Sequence, residues 1–193
     1  SQTASQPNRR TANPHSRSLA LPVKLADRFA GAVHLPGEAG YDEHRRPLNP
    51  SLDPRPALVI EASGPADVPA AVRTARQLDL PFAVQATGHG THVPADGGVL
   101  VKTATMASVL LDPARRVARV GPGARWRDVL TAATPFGLAP LSGSSATVGV
   151  TGFTVGGGVG WLSRGFGFAA DQVLRAEVVT ADGDRVVASP DRN

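Results

Sequence analysis

The 193-residue chain contains no cysteine. That absence excludes disulfide bridges, zinc–thiolate sites and thiol nucleophiles, and leaves the cellular compartment open. Aromatic residues make up only 5% of the chain, so a core must be built mainly from Val, Leu and Ala side chains. No apolar run approaches the ~20 residues of a membrane-spanning helix. No basic stripe alternates with aromatics. The formal charge of +4 lies largely at the front, where Arg9, Arg10 and Arg17 have no acidic neighbours. A solvated basic tail explains this better than a nucleic-acid surface. Arg9-Arg10 is followed by Thr-Ala-Asn-Pro-His rather than an apolar stretch, so no secretion signal is read within the chain. A cytoplasmic protein is expected, the alternative being a secreted one whose signal has been removed. There is no internal repeat and no Gly-x-Ser-x-Gly elbow for a serine nucleophile.

Glycine (21) and proline (17) are abundant and imply many turns. Residues 1–17 are polar, without periodicity, and are expected to be disordered. Residues 18–54 read as an N-terminal segment. It holds a short amphipathic stretch over Leu19–Phe29, then loops broken by Pro36, Pro47, Pro50 and Pro54. Regular structure begins at the strand Ala57–Ile60. A turn follows, with Ser63 as N-cap and Pro65 in the first helical turn. Val68, Val72, Ala75 and Leu78 give a helix over 66–79 one apolar face. Phe82–Val84 then reads as a buried strand. Strand, helix and strand within so short a span predict parallel strands with a right-handed crossover. A third strand is expected over 97–101, and two more over 109–113 and 116–120. A helix is expected over 126–133. Residues 176–188 form a hairpin through Asp182-Gly183.

Two segments carry candidate chemistry. Gln85-Ala86-Thr87-Gly88-His89-Gly90-Thr91-His92 follows the second strand. Such a turn offers free backbone N–H groups, and Gly88 and Gly90 allow a phosphate to approach them closely. Thr87 and Thr91 add hydroxyls, and His89 adds an imidazole. Taken alone, Gly-His-Gly is equally a tight turn with a hydrogen-bonded histidine. His89 and His92 are three apart, but the turn contains no carboxylate, which disfavours a metal. His15, His34 and His44 have no chemical context in the sequence and read as ordinary surface or core residues.

The second segment runs from Gly143 to Trp161 and contains seven glycines. Val148, Val150, Phe153, Val155 and Trp161 interleave with them, which fits a packed segment with close backbone approach better than a flexible linker. A structural glycine loop is the alternative. A nicotinamide-type GxGxxG fit is weak, because no acidic residue stands about 20 positions on in the required context.

Together, these motifs resemble those of the vanillyl-alcohol oxidase/p-cresol methylhydroxylase (PCMH) superfamily of FAD-dependent oxidoreductases, in particular its berberine-bridge-enzyme-like group. The resemblance runs through Tyr41-Asp42, Asn49, Arg55-Pro56-Ala57, Ala66-Asp67-Val68 and Gly88-His89. It continues through Val120–Trp126, Thr147–Val150, Gly156–Arg164, Phe166–Asp171 and Val178–Gly183. It covers about three quarters of the chain in order. It implies an α+β, PCMH-type FAD-binding domain of two α/β lobes, 55–111 and 112–193, with FAD between them. In such relatives the histidine matching His89 is bonded to the flavin 8α-methyl carbon. The resemblance further implies that residues 85–92 hold the diphosphate. Gly143, Ser144, Ser145, Thr147, Val148, Gly149, Gly152, Phe153, Gly157, Gly158, Gly160 and Trp161 would line the rest of the cofactor, with Val178 near the adenine or ring edge.

Two departures matter. Relatives often have Arg-Gly-Gly-Gly-His where this chain has Gln85-Ala86-Thr87-Gly88-His89. Bicovalent relatives have a cysteine where Ser145 stands, so a second, thioether link is impossible. The family's substrate domain and usual catalytic base lie beyond the matching portion. The resemblance therefore implies the FAD-binding part of an oxidase acting on a small organic substrate, with O2 as acceptor. A non-catalytic FAD-binding module is the alternative. Homo-oligomers, or association with a further C-terminal portion, are expected of the apolar surface such a part exposes.

Overall fold

The computed structural model describes residues 25–193. The expected disordered tail and most of the Leu19–Phe29 stretch lie outside the described residues. What is described of that stretch is one turn of 3-10 helix, Ala26–Arg28.

The main sheet has four strands in the order β1–β2–β4–β3: Val33–His34, Leu58–Glu61, Val99–Lys102 and Phe82–Gln85. β4 pairs in parallel with both β2 and β3, so the strand–helix–strand unit is parallel but its two strands are not neighbours. β2 and β4 are apolar runs buried on both faces, as interior parallel strands require. One face sets Leu58, Ile60, Val99 and Val101 against Ala71 and Ala75 of helix α2 (Asp67–Gln77) and against Leu25 and Phe29. The opposite face sets Val59 and Leu100 against Tyr41. β3 is not the buried strand expected. It lies at the sheet edge, with Phe82 38% and Val84 57% exposed.

α2 begins at Asp67, and Ser63 does not cap it. Instead the Ser63 N–H and hydroxyl both meet the Asp67 carboxylate, at 2.9 and 3.3 Å. The same carboxylate accepts the N–H groups of Ala30 (2.8 Å) and Gly31 (3.0 Å). Burial alone would raise the Asp67 pKa, but these donors outweigh it and hold the carboxyl below its usual range. One buried acid thus ties the N-terminal segment to the start of α2.

The stretch expected to be loop contains a helix, α1 (Ala39–His44). Tertiary anchors hold it rather than periodicity. The Tyr41 hydroxyl donates to the Pro56 carbonyl at 2.6 Å. Arg45, 1% exposed, donates to Asp42, Asp53 and the Pro54 carbonyl.

Beyond β4 come a hairpin, β5 (Val109–Asp112) and β6 (Val117–Val120), and helix α3 (Trp126–Ala133). The hairpin straddles the 111/112 division drawn from the sequence. Trp126, Val129, Ala124 and Val150 form a second core, with the Phe153 ring edge-on to Trp126 at 5.4 Å. The final hairpin pairs β7 (Ala176–Val179) with β8 (Arg185–Ala188). Arg73 of α2 donates to the Gly183 carbonyl at 2.9 Å and pins its turn. No helix among the described residues is long and apolar enough to cross a membrane.

Candidate cofactor site

β3 delivers the chain to the C-terminal edge of the parallel sheet, where open α/β sheets place their ligands. Its last residue, Gln85, is buried and donates to the Arg46 carbonyl at 3.3 Å. Gly88 follows with φ +76°. A Cβ there would meet Gln85 Nε2 at 3.0 Å and Pro47 Cα at 3.1 Å, so glycine is needed for both the dihedral and the space. The Leu48 N–H donates to the Gly88 carbonyl at 3.3 Å and fixes the turn from outside. His89 and Gly90 then emerge into solvent.

The glycine-rich segment comes to meet this turn. His89 Nε2 lies 2.9 Å from the Thr147 hydroxyl, 58 residues away in sequence. Ser145 Oγ lies 3.0 Å from that same hydroxyl, completing a short relay. A Cβ on Gly149 would touch the Thr87 methyl at 3.3 Å. The start of α3 holds this loop in place: Trp126 and Arg127 donate backbone N–H groups to the Val148 and Ala146 carbonyls at 3.0 and 2.9 Å.

Among the described residues, the backbone N–H groups of Gly88, Gly90 and Thr91 meet no acceptor. Neither do those of Ser144, Ser145 and Thr147. Two turns rich in free donors therefore stand side by side, with an exposed imidazole between them. Such a pair suits an anionic, diphosphate-like group approaching backbone N–H groups.

The structure brings Gln85, Ala86, Thr87, Gly88 and His89 together with Ser145, Thr147 and Gly149. Thr91 stays in the turn, its hydroxyl 3.5 Å from the Gly88 carbonyl, and His92 is exposed beside it. Val148 packs in the second core. Gly143 and Gly158 form a separate group around Phe153, each leaving no room for a Cβ against that ring, at 2.8 and 3.0 Å. A Cβ on Gly160 would collide with the Ser142 carbonyl. Gly152 and Gly157 border open space, and Ser144 is exposed. Val178 sits on β7 opposite Val186, 41% exposed, in a separate two-stranded sheet.

Packing of the glycine-rich segment was expected throughout. It holds for Val148, Val150 and Phe153 and fails for Val155 and Trp161, 83% and 82% exposed. The segment also holds a helix that its glycines concealed, α4 (Val150–Val155), and a second unexpected helix, α5 (Ser163–Phe166), follows it.

His34 and His44 are not the isolated side chains expected. Their rings stack at 4.8 Å, and both turn Nε2 toward Glu61 Oε2, at 2.6 and 3.4 Å. Lys102 donates to the His44 carbonyl at 3.0 Å. Burial lowers the Lys102 pKa, and the charge of Glu61 opposes that shift. No spacing rule links positions 34, 44 and 61; only the β1–β2 pairing and α1 bring them together.

A parallel α/β sheet whose edge carries two donor-rich turns and an accessible imidazole defines a dinucleotide-binding unit. Residues 56–189 match the family described as FAD binding domain, and the chain belongs to that family. It is 34% identical over 178 residues to (R)-6-hydroxynicotine oxidase of Paenarthrobacter nicotinovorans, covering 91% of this chain and 38% of that protein. The crystal structure of 6-hydroxy-D-nicotine oxidase from Arthrobacter nicotinovorans superposes with TM-score 0.83 at 33% identity, over 89% of this chain and 38% of that one. The berberine-bridge-enzyme-like protein 1 of Physcomitrella patens gives TM-score 0.77 at 26% identity, over 88% and 38%. The fold is therefore that of the PCMH-type FAD oxidases, and the chain spans well under half the length of these relatives.

Proposed function

We propose that the protein is an FAD-dependent oxidase of small organic substrates and that this chain is its FAD-binding part. The observation that carries the proposal is the meeting of the His89 turn with the Ser145–Thr147 loop at the sheet edge. The free N–H groups of both turns hold the cofactor's diphosphate without the arginine that relatives place there. Dipoles replace a full charge, which suits a chain with Gln85 at that end of the strand.

His89 is the covalent anchor. In the tautomer whose Nε2 donates to Thr147, Nδ1 carries a free lone pair and is the nucleophilic nitrogen. When Thr147 donates its hydroxyl proton to Ser145 Oγ, the Thr147 oxygen is left to accept from Nε2, which favours that tautomer. When bound, FAD supplies a hydride acceptor that O2 reoxidises; the protein orients and tunes it. A non-catalytic FAD-binding module is the second reading. Val155, Val159, Trp161 and Leu174 are exposed: a surface covered by a second copy of this chain would favour that reading, and one covered by a further chain portion favours the first.

Titration of the protein prepared free of flavin with FAD, followed by flavin fluorescence, tests cofactor binding. A saturable one-to-one quench with no response to NAD is expected. A folded protein that leaves FAD fluorescence unchanged would overturn the assignment.

A further inference from the structure

The cluster of His34, His44 and Glu61 takes no part in the dinucleotide site. It joins three elements: β1 carries His34, His44 is the last residue of α1, and Glu61 ends β2. The three donor atoms lie within 4.8 Å of one another. Two stacked imidazoles aim the same nitrogen at one oxygen.

The dimensions fit an ion. Donors ~2.0–2.1 Å from a tetrahedral zinc stand ~3.3 Å apart. The His44–Glu61 separation of 3.4 Å already matches. The His34–Glu61 separation of 2.6 Å has to open by ~0.7 Å, a small side-chain rotation. The His34 ring is itself seated against Gly40, where any Cβ would collide with it. That contact fixes the plane in which its Nε2 points. Side-chain exposures of 17%, 25% and 24% leave a path for an ion and a water while keeping the donors largely enclosed. The neighbouring cation, Lys102, donates to the His44 carbonyl rather than to any of the three donor atoms.

We propose that His34, His44 and Glu61 bind a divalent transition-metal ion of the zinc class, with water completing the shell. The ion clasps the β1–α1 segment to the end of β2. This inference is independent of the flavin, so zinc binding and FAD binding are read separately.

The test uses the purified 193-residue protein after chelator treatment. It is titrated with zinc chloride by calorimetry and with cobalt chloride by visible absorption. The expected results are one zinc per chain, a rise in Tm at saturation, and the intense visible bands of four-coordinate cobalt. His34→Gln and His44→Gln should each weaken zinc binding at least tenfold. The proposal is overturned by an absence of saturable binding, by binding that survives both substitutions, or by a weak six-coordinate cobalt spectrum. The cobalt spectrum of the unsubstituted protein decides the matter even if the histidine variants do not fold.

Discussion

Asp67 shows how much one side chain can organise. It is 3% exposed and gathers the N–H groups of Ala30, Gly31 and Ser63. Asp67→Asn replaces a charge-assisted acceptor with a neutral one and should cost about 2 kcal/mol, measured by urea unfolding at neutral pH. The folded-state pKa lies below the unfolded one. The stabilisation is therefore complete above the unfolded carboxyl's pKa and is lost as pH falls through the folded value. The gap between parent and variant should close in acid; a gap independent of pH would mean that the charge is not what matters. Thr147 makes a second residue-scale prediction. It is exposed, so Thr147→Val should change stability by less than ~0.5 kcal/mol. Because its hydroxyl holds His89 Nε2, the same change should slow covalent flavin attachment, followed as acid-stable flavin fluorescence over time.

At the scale of elements, β2, α2, β4, α3 and both hairpins were legible because their patterns are local. Alternating or continuous apolar runs and an Asp-Gly turn carry their own signal. α1 was not legible, since its six residues depend on Tyr41 and Arg45 reaching Pro56, Asp53 and Pro54. α4 was hidden by Gly149, Gly152 and Gly156, which lower helix propensity. The edge position of β3 was invisible because strand order is set by long-range pairing. For the site, the His89 turn and the glycine-rich segment could be read from the sequence. Their meeting through Thr147, and the His34–His44–Glu61 cluster, could not, because tertiary pairing alone creates them. Gly158 tests the second site element. Its φ is +76°, and a Cβ would press on Ala169 and the Phe153 ring. Gly158→Ala should cost about 2 kcal/mol in chemical denaturation. A cost near zero would show that this loop is not held as described.

At the scale of the whole molecule, a tightly packed sheet is joined to a broad open surface. Leu58, Val59, Ile60, Val99 and Val101 are fully buried, whereas Trp161, Val155 and Phe166 lie open. The open side is the one that carries the glycine-rich segment. Acid precipitation of the flavin-loaded protein, with absorption spectra of pellet and supernatant beside the His89→Ala variant, tests the proposal that this module holds FAD through His89. Yellow colour is expected in the parent's pellet and, for the variant, only in the supernatant. Flavin released into the parent's supernatant, or retained in the variant's pellet, would contradict it.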